Sequence, residues 1–294
     1  MSALFTLLIS TMTINPVAPP DTTGLRQELT AEFAAHPEAT FGVAFKDLST
    51  GKTFFMNEHA SFHAASTMKT PVLIETYRQA AKGKFSIGDP IEIKNTFASI
   101  VDGSAYSLDS TDDSEHDLYT RVGTKLPISD VLHRMITQSS NLATNIMIDL
   151  VGAQNVMATM RKFGAKDIQV LRGVEDDKAF EKGLNNTTTA YDLMLIMEHI
   201  AKDKAVNKAS SEAMIGILMH QHFKEGIAGK LPPDVKVASK SGSITGICHD
   251  SGIVFLPDGR KYVVVLLSKG IQDHKTATGV LANASRILYD HFVK

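Results

Sequence analysis

The sequence Ser66-Thr67-Met68-Lys69-Thr70-Pro71-Val72-Leu73 lies in the first quarter of a 294-residue chain and decides how the rest is interpreted. Residues three apart share one face of a helix, so a helix beginning at Ser66 places its hydroxyl beside the Lys69 amine. A serine attacks a carbonyl only when a nearby base takes its proton and donors hold the oxyanion that forms. Lys69 can act as that base if it is desolvated and flanked by other cations. The pair therefore predicts a nucleophile and its activating group.

Spacing alone does not decide this assignment, because Ser49-Thr50-Gly51-Lys52 has the same pattern. That copy lies between two β-prone runs and predicts a hairpin turn. From Ser66 to Ala81, in contrast, apolar residues recur at helical spacing, and Pro71 is tolerated in a first helical turn. A serine at a helix start is most often only an N-cap, so the assignment of Ser66 depends on what accompanies it.

Two further strings follow Ser66 and Lys69 in order, Ser139-Ser140-Asn141 and Lys240-Ser241-Gly242. Several cationic groups that converge on one cleft lower the basicity of a lysine, which lets it act as a base near neutral pH. The same charges attract an anionic substrate. The three strings together predict an acyl-transfer site.

Composition limits the other possibilities. The chain is 43% hydrophobic and 21% charged, which is typical of a globular protein with a substantial core. Its net charge is -2, and the sequence has no cluster of basic residues that would contact phosphates, so nucleic-acid binding is not expected. Cys248 is the single cysteine, which excludes an internal disulfide, and the eleven histidines lack metal-ligand spacing. We therefore expect no metal and no cofactor.

Residues 1–21 form an apolar segment with a proline-rich end. The apolar run is shorter than the roughly 20 residues that span a bilayer, and it lacks the basic start of a usual secretory signal. The segment predicts a trimmed or atypical signal, a periplasmic or secreted location and no stable membrane insertion. Separately, we expect the protein to be a monomer. The acidic stretch Ser107 to Asp117 is most simply a solvated loop.

Hydrophobic patterns predict an α/β (α+β) fold. Strand-like runs occur near both ends of the chain, each accompanied by one amphipathic helix, and the middle is helical in pattern. This arrangement predicts an antiparallel sheet built from both termini, from residues 22–70 plus 234–294, with an all-helical lobe over residues 71–233. The cleft between the two lobes is the natural place for a site. The predicted elements are helices Thr22–Ala35 and Thr276–Phe292, and strands Phe41–Phe45, Thr53–Met56, Val235–Ala238, Gly252–Leu256 and Tyr262–Leu267.

The order and distances of the three strings resemble those of the penicillin-recognising serine enzymes, most closely the class A β-lactamases. Two local stretches strengthen the resemblance. Residues 135–145 are similar to the family's helix-loop-helix segment around its second motif, and Asn186-Thr187-Thr188-Thr189 is similar to the end of its omega loop. The resemblance covers about residues 22–294.

The resemblance implies a role for each matching residue. Ser66 is the nucleophile, Lys69 its activating neighbour, and Ser139 a proton relay toward the leaving nitrogen. Asn141 binds the side-chain amide of the substrate, and Lys240 holds positive charge near Ser139 and the substrate carboxylate.

The third motif is implied to bind the substrate as well. The Ser241 hydroxyl binds the carboxylate, and the backbone N–H groups of Ser66 and Ser243 form the oxyanion hole. Gly242 lets the backbone approach the ligand closely.

The chain departs from the family pattern at several positions. Ser140 stands where an aspartate is usual, and Ser241 where threonine is common. Glu175 is the best match to the omega-loop glutamate that activates water on the acyl-enzyme, but Ala179 replaces the usual asparagine four residues later. Alternatively, Glu175 only pairs with Arg172 or Lys178. His249 lies near the place of a carboxylate-binding arginine and assists only if it is protonated.

Four functions remain open from the sequence. The first is a serine β-lactamase acting on a small-molecule β-lactam through a Ser66 acyl-enzyme, with Glu175 directing hydrolysis. The second is a penicillin-binding D,D-carboxypeptidase or transpeptidase acting on D-Ala-D-Ala-type peptides, with the same acylation and no fast deacylation of the drug. An esterase leaves the carboxylate-binding string Lys240-Ser241-Gly242 unexplained. A non-catalytic sensor would normally carry an anchor or an extra domain.

Overall fold

The computed structural model describes residues 22–293, and a central sheet organises them. The strands are β1 (Thr40–Asp47), β2 (Thr53–Met56), β3 (Phe62–His63), β4 (Pro90–Glu92), β5 (Phe97–Ala98), β6 (Ala105–Tyr106), β7 (Lys125–Pro127), β8 (Thr187–Thr188), β9 (Lys236–Ile244), β10 (Ile247–Phe255) and β11 (Lys261–Lys269). The helices are α1 (Thr23–Ala34), α2 (Lys69–Ala81), α3 (Ile128–Thr137), α4 (Asn141–Val151), α5 (Ala153–Lys162), α6 (Asp177–Glu181), α7 (Ala190–Ala201), α8 (Lys208–Met219) and α9 (His274–Phe292).

The main sheet has five strands in the order β2-β1-β11-β10-β9, and every neighbouring pair is antiparallel. Strands from both ends of the described chain meet at the β1–β11 pair, where Thr40 lies opposite Lys269. This confirms the prediction of an antiparallel sheet built from both termini. The order leaves β9, which carries Lys240-Ser241-Gly242, at one edge of the sheet.

The turn between β1 and β2 contains the second copy of the serine–lysine pattern. The Asp47 carboxylate accepts hydrogen bonds from the Ser49 backbone N–H at 2.7 Å and the Thr50 hydroxyl at 2.7 Å. Gly51 follows with a φ of 75°, a conformation that glycine adopts at little cost. The predicted hairpin turn is therefore confirmed.

The two terminal helices pack together on one face of the sheet. Leu25, Leu29 and Phe33 of α1 are buried at a spacing of four residues, as the sequence pattern predicts. The Phe33 ring stacks on Phe41 of β1 with the ring centroids 4.1 Å apart. These side chains share a core with residues of α9 such as Leu281 and Leu288.

The other face of the sheet packs against the segment formed by residues 71–233. Ala44 of β1 and Val265 of β11 belong to the same buried cluster as Leu132 of α3 and Ile196 of α7. Helices dominate this segment, but it is not purely helical, because β4 pairs with β7 and β5 pairs with β6. Each of these strands has only two or three residues, which is too short to produce a period in the sequence.

Two findings, on membrane-spanning helices and on metal sites, apply to the described residues. Within residues 22–293, no helix is long and apolar enough to cross a membrane, and no group of histidine, cysteine or acidic side chains is arranged to hold a metal ion. The predicted secretory signal, residues 1–21, lies outside the described residues.

We predict that Leu29→Ala destabilises the fold by about 2–5 kcal/mol, because it leaves a cavity between α1 and α9. Equilibrium urea unfolding measures this free energy. Gln27→Ala on the exposed face of the same helix is the matched control and should change the free energy by less than about 0.5 kcal/mol. Equal effects from the two substitutions would contradict the described packing.

Candidate active site

Ser66 lies in a tight turn that enters α2. Residues Ala65–Met68 form a 3-10 turn, and the α-helix begins only at Lys69. The preceding residue, Ala65, has a φ of 44°, a left-handed conformation that is costly for a residue with a Cβ. The Thr67 hydroxyl donates to the Ala64 carbonyl at 2.6 Å and holds the turn closed. Ser66 itself remains half-buried and lines a cavity.

The Lys69 amine is completely buried behind the turn. It donates to the Ser139 carbonyl, to the Ser139 hydroxyl at 3.2 Å and to the side-chain carbonyl of Asn141 at 3.1 Å. In the described chain, the Lys69 amine forms no direct hydrogen bond with the Ser66 hydroxyl, although both residues belong to one site. A hydrogen bond of this kind is often long before substrate binds, so its absence is compatible with the predicted pair.

Burial lowers the pKa of Lys69 to about 7, and the charges of Asp113 and Glu175 partly oppose the shift. The expectation that flanking cations cause this shift is therefore corrected. A buried ammonium loses its hydration, which favours the neutral amine. The two carboxylates limit the shift and leave Lys69 poised between its two protonation states near neutral pH.

Ser139 joins the second motif to the third. Its hydroxyl lies 3.2 Å from the Lys69 amine and 3.1 Å from the Lys240 amine, so it can accept from both. Ser139 has a φ of 61°, which places the residue in the left-handed region just before α4. Burial and the nearby charge of Lys69 hold the pKa of Lys240 well below its usual range. The arrangement is a continuous chain of proton-exchanging groups, Lys69–Ser139–Lys240.

Gly242 lies where edge strand β9 meets the nucleophile turn. A Cβ at this position would lie 2.8 Å from the Ser66 backbone nitrogen and 2.9 Å from that of Thr67. Both distances are shorter than any relaxed contact permits, and backbone atoms cannot move aside as a flexible side chain can. A close approach therefore exists at Gly242, but it joins β9 to the turn that carries Ser66, whereas the approach to a ligand stays a prediction. Ser241 and Ser243 flank this contact and line the cavity.

Glu175 faces the second motif across the cleft. Its Oε1 accepts a hydrogen bond from the Asn141 side-chain amide at 2.8 Å. Burial raises the pKa of Glu175, and the nearby Asp113 and Asp112 carboxylates raise it further, while the hydrogen bond from Asn141 opposes the shift. Its φ of 60° shows that the loop turns sharply at this residue. Asn141 thus contacts Lys69 with its carbonyl oxygen and Glu175 with its nitrogen.

In the described chain, neither Arg172 nor Lys178 pairs with Glu175, so the alternative role of Glu175 is wrong. Arg172 donates to the carbonyls of Leu184 and Gly173, and Lys178 forms an ion pair with Asp102 at 2.7 Å.

Three other residues of this loop, Ala179, Asn185 and Asn186, have partners or positions that do not involve Glu175. Ala179 is buried in α6. Asn185 accepts a hydrogen bond from Arg172, and Asn186 hydrogen-bonds the backbone of Leu171 and Arg172.

Asn145 is a site residue to which the sequence analysis gave no role. Its side chain accepts from the Val174 N–H at 2.7 Å and donates to the Val174 carbonyl at 3.0 Å, so one amide holds both backbone groups of the residue before Glu175. A Cβ at Gly173 would lie 2.3 Å from the Asn145 oxygen, which requires glycine there. An asparagine one helical turn after Asn141, facing the same side, was the available signal.

The acidic stretch from Ser107 to Asp117 is also more than a solvated loop. Asp113 and Glu115 are buried, whereas Asp112 and Ser114 line the cavity. That expectation is therefore corrected, because the loop wraps the second motif.

His249 does not have the role that the sequence suggested. It is buried, its Nε2 donates to the His63 carbonyl at 2.9 Å, and burial lowers its pKa to about 4. Its imidazole is therefore neutral near pH 7 and cannot provide charge to a carboxylate.

These elements enclose a cavity of about 250 Å³, with a volume suited to part of a small molecule. Its lining includes Ser66, Ser139, Asn141, Ser241, Gly242 and Ser243. Lys69 and Lys240 lie behind this lining and are fully buried. The site therefore presents hydroxyl, amide and backbone N–H groups to a ligand and keeps its amines out of water.

Comparison with known proteins agrees with this geometry. The pattern of the beta-lactamase enzyme family matches residues 24–292. The chain belongs to the beta-lactamase enzyme family. Family and fold together support a hydrolase of the β-lactamase or penicillin-binding type.

Individual relatives are distant in sequence and similar in fold. Beta-lactamase VEB-1 of Pseudomonas aeruginosa is 22% identical over 267 residues, which are 87% of this chain and 86% of that protein. The beta-lactamase from Sphaerobacter thermophilus is 25% identical with a TM-score of 0.78, covering 92% of this chain and 98% of that one. A mutant of PBP-A, solved as an acyl-enzyme complex with penicillin G, is 24% identical with a TM-score of 0.78, covering 92% and 96%.

We predict that Gly242→Ala lowers the rate of acylation by about tenfold or more, because the added methyl group pushes β9 away from the Ser66 turn. The measurement is the rate at which excess penicillin modifies the purified protein, followed by intact mass. Gly216→Ala is the control, since a Cβ there meets no atom of the described chain within 4 Å. A Gly242→Ala protein that reacts at the wild-type rate would contradict the close approach.

Proposed function

We propose that this protein is a serine β-lactamase that opens the lactam amide through an acyl-enzyme on Ser66 and then hydrolyses that acyl-enzyme. The observation that carries the proposal is the position of the Asn141 amide, which is hydrogen-bonded to Lys69 at 3.1 Å and to Glu175 at 2.8 Å. One side chain thus sets the distance between the group that activates the nucleophile and a carboxylate suited to activate water.

Acylation forms the bond between the Ser66 oxygen and the lactam carbonyl carbon and breaks the carbon–nitrogen bond. The hydroxyl proton passes to the neutral Lys69 amine. The Ser139 hydroxyl gives its proton to the leaving nitrogen and takes one from Lys69, its hydrogen-bond partner at 3.2 Å, which leaves both groups as they began. The backbone N–H groups of Ser66 and Ser243 hold the oxyanion. The Ser241 hydroxyl binds the substrate carboxylate. A carboxylate bound there favours the protonated form of Lys240, which lies behind the lining, because an opposite charge raises the pKa of an amine.

Deacylation forms a bond between a water oxygen and the acyl carbon and breaks the ester to Ser66. In this step Glu175 takes the proton of the water, and the Ser66 oxygen recovers a proton as it leaves. The partial burial of Glu175 and its raised pKa suit a general base. The hydrogen bonds from Asn145 to Val174 fix the backbone beside it.

Two observations favour a second candidate, a penicillin-binding D,D-carboxypeptidase or transpeptidase. Ala179 offers no amide to hold a water beside Glu175, and Glu175 lies outside the lining of the cavity. The PBP-A mutant, with a TM-score of 0.78, shows that the fold also occurs in a protein whose structure holds an acyl-enzyme with penicillin G. The contact of Glu175 with Asn141 leads us to place the β-lactamase first.

Several wider features belong to the same proposal. The esterase reading is placed lower because it leaves Lys240 and Ser241 unexplained. We infer a periplasmic or secreted monomer, with residues 22–70 and 234–294 forming one lobe and residues 71–233 the other. The cleft between these two lobes is the proposed site of catalysis.

We predict that Glu175→Gln leaves acylation largely intact and slows deacylation by about 10²–10⁴-fold, the usual contribution of a general base. Intact-mass measurements over time with a simple penicillin, together with the appearance of penicilloic acid, separate the two steps. Ser66→Ala should give no adduct and no product. Glu181→Gln, an exposed acid of the same loop, should behave as wild type.

Other outcomes of that experiment lead to other conclusions. A long-lived adduct on the wild-type protein with little product would establish the penicillin-binding peptidase instead. A protein that forms neither adduct nor product would favour the esterase. An unchanged steady-state rate for Glu175→Gln would remove Glu175 from the mechanism.

We also predict that acylation slows as the pH falls below about 7, since Lys69 accepts the Ser66 proton only in its neutral form and its pKa lies at about 7. Quenched single-turnover acylation, measured across the neutral range, should give a rate that rises with pH to a plateau. A midpoint near the ordinary lysine pKa of about 10.4 would contradict the role of burial.

A further inference from the structure

The N-terminus of α4 is capped by a carboxylate from outside the second motif. Oδ2 of Asp113 accepts hydrogen bonds from the backbone N–H of Asn141 at 2.8 Å and of Leu142 at 3.0 Å. These are first-turn amides, which have no partner within the helix. A negative charge there is also favoured by the helix dipole. Ser140 caps a different amide, because its hydroxyl accepts from the Ala143 N–H at 3.2 Å.

Asp113 is held rigidly in this position. It is only 4% exposed, the Tyr119 hydroxyl donates to Oδ2 at 3.0 Å, and the Glu115 N–H donates to Oδ1 at 3.2 Å. The Ser140 hydroxyl lies 3.4 Å from Oδ2. Every close contact of this carboxylate is therefore a donor, and together these contacts fix its orientation.

The neighbours of Asp113 attach the whole loop to the second motif. Glu115, which is buried, forms an ion pair with the partly exposed Arg134 of α3 at 2.6 Å, and the Ser114 hydroxyl donates to the Gln138 carbonyl at 2.6 Å. Three consecutive residues, 113–115, thus bind residues on both sides of Ser139. The left-handed conformation of Ser139 costs free energy, and such a conformation persists only where surrounding contacts impose it.

We propose that Asp113 is a positioning residue for the catalytic step, because it fixes the backbone of Ser139-Ser140-Asn141. Asp113 reaches this backbone from a separate loop and replaces the aspartate that is usual in the family where this chain has Ser140. This inference rests on the proposed acyl-enzyme function. It accounts for a serine at position 140 without loss of the helix cap, since the charge comes from the loop.

Asp113 also acts on the site through its charge. It raises the pKa of Lys69, which faces Glu175 and Lys240 as well, and it raises the pKa of Glu175, which also faces Asp112. Removal of this charge lowers both pKa values. The acid limb of acylation, which needs neutral Lys69, and the acid limb of deacylation, which needs ionised Glu175, should therefore both move to lower pH. A residue that only stabilises the fold would change rates without moving these midpoints.

The test combines Asp113→Asn with Ser140→Asp in a double-mutant cycle. Asp113→Asn should slow acylation by about tenfold or more and move its midpoint to lower pH. Ser140→Asp alone should also slow acylation, because it places two carboxylates at one helix end. The double variant should recover at least half of the lost rate on a logarithmic scale, since one carboxylate again serves α4. Asp234→Asn, which changes an exposed aspartate just before β9, is the control and should match wild type.

Penicillin acylation, followed by intact mass across a pH series, is the readout for all variants. An Asp113→Asn protein with wild-type rate and midpoint would overturn the inference. If Asp113→Asn does not fold, recovery of folding and acylation in the double variant supports the proposal, and failure of the double variant to recover either overturns it. Failure of the proposed acyl-enzyme chemistry is distinguishable, because the wild-type protein would then form neither adduct nor penicilloic acid.

Discussion

The burial of the Lys69 amine behind the turn that carries Ser66 is the constraint on which the site depends. The Lys69 ammonium has lost its water, and its hydrogen-bond partners are the Ser139 carbonyl, the Ser139 hydroxyl and the Asn141 side chain. A buried amine needs such partners in full, since an unsatisfied polar group costs free energy. The same enclosure that lowers its pKa therefore also dictates the conformation of the second motif around it.

The fold supplies this enclosure by bringing a strand edge against a helix start. Strand β9 carries Lys240 and Gly242, and the missing Cβ of Gly242 lets the strand contact the backbone of Ser66 and Thr67. Lys240 donates to the same Ser139 hydroxyl as Lys69. Because both lysines contact one hydroxyl, a shift of β9 would change this contact and the position of Ser243 together, and the five-stranded sheet holds β9 in place.

From the sequence we could predict the elements that have a periodic hydrophobic pattern and the residues that belong to the three motifs. Helical periodicity predicted α1 and α9, alternating runs predicted the main strands, and the three motifs predicted which residues would meet. Asp113 had no such signal, and the only signal for Asn145 was its position one helical turn after Asn141. An aspartate within an acidic loop has the composition of a solvated segment, and only the three-dimensional path shows it at the start of α4. The neutral state of His249 likewise depends on burial, which one position in a strand does not reveal.

The contacts around Asn141 connect the two halves of the proposed reaction. Its carbonyl oxygen is committed to Lys69 and its nitrogen to Glu175, so a substrate amide that binds Asn141 must compete with one of these bonds. Displacement of Glu175 from Asn141 would remove the hydrogen bond that opposes its raised pKa, whereas displacement of Lys69 would favour its neutral form. In the proposed mechanism, a ligand that binds this amide would therefore change the protonation of Lys69 or of Glu175. The firm anchoring of the Asn141 backbone by Asp113 keeps the competition confined to the side chain.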